Sequence, residues 1–341
     1  MANCNKLFLD FDNELNVLSV KKTKLSKSKN DLRDRIRKTF KEKHEGYNPT
    51  FYIQGSKKLG TMIRTKDDEC DLDDGVYFLR DEGVTGTTLQ KWVKDAVDDA
   101  TVTPTQHRKK CIRVIYKGDY HIDLPVYYFP KNSDHPLLAV KDNNLEESDP
   151  KDFVDWFKEK KDDDGQLVRI IKYLKSWCDY KRNKMPSGLA MTVLAEKNIK
   201  YNDRDDICLF ETLKQIKLSI DDRKSLIDKF KCVMPTVPYD DLFSDYDDNR
   251  KNNFLENLNT FIEDAKKAIE EPNQLKSSKL WKKHLGDRFP LGIDEDIESK
   301  ENDLKKIASS ILSGSAYTNK YGAIQESNDG VKHKKHRNYG G

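Results

Sequence analysis

The sequence predicts an α+β protein in which a strand-bearing half precedes a helical half, and three observations carry that prediction. Tyr120, Ile122, Leu124 and Val126 alternate along residues 120–127 with the period of a strand. Leu167, Ile170, Ile171, Leu174, Trp177 and Cys178 form one apolar stripe at helical spacing. Phe254, Leu255, Leu258, Phe261, Ile262, Ala265 and Ile269 repeat that spacing further on. At 341 residues the chain is long enough for two subdomains or one large bilobal unit.

The first half opens on a lysine-rich stretch, residues 20–46, with Leu25, Leu32, Ile36 and Phe40 near helical spacing. It reads either as an amphipathic helix with a solvated basic face or as an RNA-binding helix. Phe51-Tyr52-Ile53-Gln54 reads as a short strand running into Gly55-Ser56, and Leu59-Gly60-Thr61-Met62-Ile63 continues from it. A Gly-Ser pair that opens a helix offers backbone N–H groups and a hydroxyl to phosphate oxygens. Asp71-Leu72-Asp73-Asp74 then leads into the apolar stretch Gly75-Val76-Tyr77-Phe78. Because side chains alternate along a strand, Asp71 and Asp73 share a face, roughly 7 Å apart. Asp74 points the other way and takes a structural role. A carboxylate pair of this kind suits shared divalent ions, since Mg²⁺ takes a few carboxylates plus substrate phosphates. Asp123, on a neighbouring strand, would complete a site for two metals roughly 4 Å apart. Most Asp-x-Asp pairs in a chain with 59 acidic residues are solvated turns; the order of the elements is what makes this one selective. Asp119, next to Gly118, reads as a turn residue.

In the second half, Asp162-Asp163-Asp164-Gly165 precedes the helix that bears the first stripe, with Arg169, Lys172 and Lys175 off that stripe. Ser187-Gly188 reads as the capped start of a buried helix, where Ser187 caps, touches phosphate, or does both. The aromatic residues of 254–269, with Trp281 and Phe289, read as core. After residue 313 the composition turns to Ser, Gly, Asn, Lys and Tyr without apolar period, which predicts a disordered tail.

Composition excludes more than it selects. Charged residues make up 35% and mean hydropathy is −0.87, so the surface is polar. A net charge of +3 gives no global case for nucleic-acid binding and no DNA activator is inferred. There is no run of 18 apolar residues and no apolar N-terminal signal, so a soluble, cytoplasmic protein without a membrane partner is expected. The six cysteines are scattered, with no Cys-x-x-Cys, and read as idle thiols rather than zinc ligands or disulfides.

Taken with their flanking words, these motifs resemble a known family. Gly-Ser, then Asp-x-Asp, then a later Asp on a strand is the signature of the DNA polymerase β-like nucleotidyltransferases. Gln54-Gly55-Ser56, Asp71-Leu72-Asp73-Asp74-Gly75 and His121-Ile122-Asp123-Leu124-Pro125 resemble the bacterial cyclic GMP-AMP synthase branch, the CD-NTases of CBASS anti-phage systems. The likeness continues through Pro186-Ser187-Gly188, Met234-Pro235-Thr236-Val237-Pro238 and Trp281–Pro290, covering roughly residues 40–292. It departs in spacing: fourteen residues separate Ser56 from Asp71, longer than in compact relatives, which predicts an extra loop.

The resemblance implies a polymerase β-like core with a mixed sheet and a C-terminal helical lobe, bilobal about a central cleft. Residues 1–160 would hold the N-terminal helix and core, 161–312 a spine helix and helical lobe, and 313–341 a flexible tail. It further implies a purine cyclic-dinucleotide synthase acting on ATP and GTP or other ribonucleoside triphosphates, with two Mg²⁺ ions, Mn²⁺ being an alternative. Asp71 and Asp73 would bridge both ions and Asp123 would hold the one that activates a ribose hydroxyl. Gln54, Gly55 and Ser56 would handle phosphates. In the family a long helix presents a basic side chain to the triphosphate; Lys172 is the candidate here, the alternative being a solvent-facing lysine. Gly340-Gly341 reads either as a frayed end or as the kind of tail that a ubiquitin-transfer-like ligase conjugates, with Gly341 as the point of attachment. Two other readings are a linear-oligonucleotide or RNA-tailing enzyme, and a nucleotide-sensing scaffold with a dead site.

Overall fold

The computed structural model describes residues 2–142, 145–220, 230–325 and 330–333, with Glu298 described by its backbone alone. In chain order the first half runs α1 (Asn5–Leu15), α2 (Ser19–Lys43), β1 (Pro49–Gln54), α3 (Gly55–Leu59), β2 (Asp71–Phe78), α4 (Gly86–Val97), β3 (Gln106–His107), β4 (Ile112–Tyr116), β5 (Tyr120–Leu124), β6 (Val126–Tyr128), β7 (Leu137–Ala139) and β8 (Leu145–Glu147). The second half runs α5 (Pro150–Lys160), α6 (Gln166–Lys181), α7 (Gly188–Asn198), α8 (Asp205–Ile220), α9 (Asp248–Glu270), α10 (Gln274–Leu285) and α11 (Ile297–Ser313), followed by short strands β9 (Tyr317–Thr318), β10 (Ile324–Gln325) and β11 (Val331–Lys332). The α+β class and the mixed sheet expected from the sequence are those observed.

The sheet is organised around β2. β1 pairs with it antiparallel along its length, while β5 and then β6 pair with its other edge in parallel. Pro125 alone separates β5 from β6; lacking an N–H it interrupts the ladder, yet its carbonyl accepts the Val76 N–H at 2.8 Å. β4 and β7 continue the sheet antiparallel beyond β5 and β6. Leu72, Val76 and Phe78 pack into a core with Leu32, Ile36 and Phe40 of α2 and Leu89 and Val93 of α4. That face is dry, and the opposite face of the first half of β2 is left to the acidic residues.

The basic helix α2 is amphipathic, and two of its cations, Lys21 and Arg33, are spent inside the molecule. Arg33 clamps the fully buried Asp74 with two bonds, Nε–Oδ2 at 2.7 Å and Nη2–Oδ1 at 2.5 Å. Lys21 and Lys24 pair with Asp119, in the turn between β4 and β5. Asp74 thus ties the acidic strand to α2 from the face of β2 opposite Asp71 and Asp73.

The helical core does not begin at α6. Phe8 and Phe11 of α1 and Phe153 and Phe157 of α5 belong to it, with Tyr173, Trp177, Phe261, Trp281 and Phe289. Phe8 stands edge-on to Tyr173, Trp281 and Phe289, with ring centroids 5.0–5.2 Å apart. The chain therefore starts in the helical lobe, builds the sheet, and returns. Past residue 313, where composition predicts no order, β9 pairs with β10 and β11 in a small antiparallel sheet. The stretch 59–63, expected to continue strand β1, is instead the end of α3 and the start of an irregular loop, residues 60–70. Gly60, at φ +79°, ends α3 in the left-handed conformation and so turns the chain away from the sheet. All six cysteines are free.

Candidate active site

The parallel pairing of β2 with β5 places Asp73 directly beside Asp123 and Asp71 beside His121. Period-two alternation keeps Asp71 on the face of Asp73, so the three carboxylates predicted from spacing are brought together by register. Asp73 suffers most from this. Burial, then repulsion by Asp71 and Asp123, pushes its carboxyl up to about 7, against partial relief from Lys175 and Arg113. Asp123 is 8% exposed and is held bidentate by Arg113, Nε–Oδ1 at 2.7 Å and Nη2–Oδ2 at 2.6 Å. Arg113 lies opposite Asp123 in the β4–β5 pair.

Gly55 opens α3 at φ +60°, and a Cβ there would lie 2.0 Å from Asp73 Oδ2. Only glycine satisfies both the backbone and the approach. Next to it, the Ser56 hydroxyl is buried without a hydrogen-bond partner, and so is that of Thr61 across the short helix. An orphaned buried hydroxyl costs roughly 1–3 kcal/mol, which a bound phosphate oxygen would recover. Both residues line a cleft of about 780 Å³, together with Gly55, Asp71, Asp73, Lys175 and the mostly apolar wall of Met185, Leu189, Met234 and Pro238.

The remaining candidates fall differently. Gln54 lines the cleft, but its amide is committed: Nε2 donates to the Tyr127 hydroxyl at 3.1 Å, and the Tyr77 hydroxyl donates to Oε1 at 3.2 Å. It braces the stacked pair Tyr77–Tyr127, with centroids 4.5 Å apart, so that its amide is oriented by the two tyrosines. Ser187 caps α7, its hydroxyl accepting the Ala190 N–H at 3.2 Å. Gly341 lies outside the described residues.

Lys172 is not brought to the cleft. It is 3% exposed, and its Nζ donates to Asp12 Oδ1 at 2.5 Å and Asn16 Oδ1 at 3.1 Å, on and just past α1. The helix α1, which no sequence motif announces, claims that face of α6. Lys175, three residues on, lines the cleft instead; its Nζ donates to the Thr61 carbonyl at 3.0 Å. Burial lowers its pKa and the charges of Asp71 and Asp73 act to raise it, which locates the ammonium beside the acidic pair. Lys175→Ala is expected to weaken triphosphate binding roughly ten- to a hundredfold, the worth of a hydrogen bond to a charged group. Lys172→Ala should instead lower the unfolding temperature by stranding Asp12. Isothermal titration and thermal unfolding of both variants separate the two roles; equal binding losses would refute the assignment.

The donor set suits divalent cations in kind: three carboxylates, partly or fully buried, repelling one another with incomplete compensation. Among the described residues no three His, Cys, Asp or Glu side chains stand at metal-ligand spacing. Arg113 engages both oxygens of Asp123, and a metal would have to compete with the guanidinium for them.

A mixed sheet with acidic strands in register, a Gly-Ser turn against them and a helical lobe across a cleft define a nucleotidyltransferase. Residues 49–127 match the family model for the nucleotidyltransferase domain of DncV-like cyclic GMP-AMP synthases. A cyclic GMP-AMP synthase of Escherichia coli is 27% identical over 187 residues, covering 39% of this chain and 43% of that protein, so the match spans under half the relative's length. The Vibrio cholerae DncV cyclic AMP-GMP synthase superposes with TM-score 0.73 at 18% identity, covering 85% of this chain and 98% of the other. The 3'-deoxy GTP-bound form of Escherichia coli DncV gives 0.67 at 19% identity, covering 81% and 93%. The chain therefore carries a nucleotidyltransferase domain over residues 49–127 that is similar to that of DncV-like cyclic GMP-AMP synthases, and it shares their fold.

Proposed function

We propose that this chain joins two purine ribonucleoside triphosphates, ATP and GTP, into a cyclic dinucleotide of the cyclic GMP-AMP kind, a second messenger in anti-phage defence. The observation that carries the reading is the register of Asp73 against Asp123 beneath a cleft whose Ser56 hydroxyl has no partner. Structures of Vibrio cholerae DncV hold nonhydrolysable GTP in one case and both ATP and GTP in another, which supports triphosphates as the substrates.

Asp71, Asp73 and Asp123 would hold two Mg²⁺ ions, or Mn²⁺. Ions bound there would lower the pKa of an attacking ribose hydroxyl and offset charge on departing pyrophosphate. The chain's own residues do the rest. Ser56 and the N–H groups opening α3 hold phosphate oxygens, Lys175 neutralises part of their charge, and Arg113 keeps Asp123 oriented. The apolar wall from Met185 to Pro238 offers a surface for a base. Ring closure would follow from a second passage of the linear intermediate through the same site.

Ser56→Ala should cost about 1.5–3 kcal/mol in transition-state binding, roughly ten- to a hundredfold in kcat/KM. Ser56→Asp should be far worse, because a like charge would meet the phosphates. An Asp variant as active as the Ala variant would place the phosphates elsewhere. Mass spectrometry of products from an equimolar mix of the four ribonucleoside triphosphates tests the function itself. A phosphatase-resistant purine product is expected; a linear product would favour an oligonucleotide-forming or tailing enzyme, and absence of metal-dependent pyrophosphate release would favour a non-catalytic scaffold.

Among the described residues no helix is long and apolar enough to cross a membrane. A cytoplasmic location belongs to the same reading.

A further inference from the structure

The long spacing between Ser56 and Asp71 becomes, in the fold, a loop over residues 60–70 that the helical lobe holds from several sides. The Arg64 N–H donates to the Leu15 carbonyl at 2.8 Å, and Arg288 Nη1 donates to the Arg64 carbonyl at 2.6 Å. At the tip of the loop the hold is ionic. The Lys66 N–H donates to Asp179 Oδ2 at 2.6 Å, and Arg182 Nη2 stands 2.5 Å from Asp67 Oδ2 and 3.5 Å from Asp179 Oδ1. Thr65, Asp179 and Arg182 also line the substrate cleft.

Arg182 follows Lys175 by seven residues, about 10 Å further along the helix axis, and both line the cleft. Lys175 stands beside the acidic pair and Arg182 beside the 60–70 loop. Arg182 ends α6 at φ +55°, a conformation a non-glycine residue adopts rarely. Its side chain is 45% exposed and that of Asp67 57%, so their pairing is of the solvent-screened kind that contributes little net stability. A guanidinium binds phosphate oxygens in a bidentate, charge-assisted fork, a stronger interaction than an exposed carboxylate pair.

We propose that Arg182 and Asp67 form a phosphate-sensing latch: the outer phosphates of a bound nucleoside triphosphate take Arg182 from Asp67 and so remove one of the ties that hold the tip of the 60–70 loop to the helical lobe, the Lys66–Asp179 bond remaining. The latch rests on the nucleotidyltransferase reading of the cleft and goes beyond it by giving the inserted loop a task. Loss of pyrophosphate would return Arg182 to Asp67, so that the tip of the loop is held by one tie fewer while a triphosphate is bound and regains it once the triphosphate has reacted. The exchange is cheap because the bond given up is weak in water, and it would select for the outer phosphates that a monophosphate lacks.

The test uses the full chain with a nonhydrolysable nucleoside triphosphate and the matching monophosphate, measured by isothermal titration, with hydrogen exchange followed across residues 64–69. R182Q should weaken triphosphate binding about tenfold while leaving monophosphate binding within about twofold, as expected for a single charge-assisted hydrogen bond to an outer phosphate. D67N should tighten triphosphate binding about threefold by freeing Arg182 in advance. Amides 66–68 should exchange faster when the wild-type chain holds triphosphate. Asp67 is exposed, so D67N decides the matter if R182Q does not fold. Equal losses for both nucleotides in R182Q, unchanged affinity in D67N, or slower exchange at 66–68 on binding would each overturn the latch while leaving the functional reading standing. A wild-type chain that binds no triphosphate would overturn both.

Discussion

Replacement of Asp73 by Asn is expected to abolish synthesis while leaving the chain folded and at least as heat-stable as the parent. Asp73 is the carboxylate that burial and two like-charged neighbours most disfavour. A protein tolerates such a group for what it binds, and an amide of the same shape removes the repulsion without opening a cavity. The same amide cannot balance divalent charge, so turnover should fall by at least about a thousandfold, or roughly 4 kcal/mol of transition-state stabilisation. Asp71→Asn together with Asp73→Asn, and Asp123→Ala, should be as inactive. Asp123→Ala differs in one respect: it strands Arg113, which would no longer have that carboxylate for its two bonds, and should therefore lower the unfolding temperature. Pyrophosphate release with Mg²⁺, read beside thermal unfolding, separates the two effects. Near-full turnover by Asp73→Asn would remove the site assignment.

The acidic site was legible in the sequence because strand alternation is local: two residues apart means one face, and this needs no knowledge of the partner strand. Asp123 was legible for the same reason, since its own strand alternates cleanly. Arg113 was equally accessible in principle. Counting back from the turn at residues 117–119 pairs residue 113 with residue 123, but that count requires treating 112–124 as a hairpin, and the low-apolar turn Lys117-Gly118-Asp119 is only a weak signal for one.

Lys172 and Lys175 show where local reasoning stops. Both lie off the apolar stripe of α6, and nothing in the helix distinguishes them. What decides is a segment 160 residues away: Asp12 and Asn16 meet Lys172, leaving Lys175 to the cleft. Such a choice is made by tertiary packing, in which Phe8 and Phe11 seat α1 against α6, and no window around α6 contains it. Gln54 makes the same point from the other side. It is adjacent to Gly55 in every motif-based reading, yet two tyrosines from β2 and β6 take its amide.

Gly55→Ala is expected to be the most damaging change that removes no functional group. The added methyl would lie 2.0 Å from Asp73 Oδ2 and 2.9 Å from its Cγ, so the whole carboxylate must move. Displacement of a reacting group by about 1 Å costs on the order of a hundredfold, and turnover should fall by at least that much. Backbone strain alone does not produce this result, and Gly60 provides the comparison. Gly60 also has positive φ, at +79°, but a Cβ there would meet nothing within 4 Å. Gly60→Ala should therefore cost about 1 kcal/mol of stability for the left-handed backbone and leave turnover within a few-fold. The two variants share the conformational penalty and differ only in the collision with Asp73, so the ratio of their activities isolates the steric demand of the site. Thermal unfolding should rank them close together, and pyrophosphate release should rank them about two orders of magnitude apart. If both lost stability alike and both kept turnover, the contact between α3 and the acidic strand would have no part in the chemistry, and Gly55 would be a turn residue only.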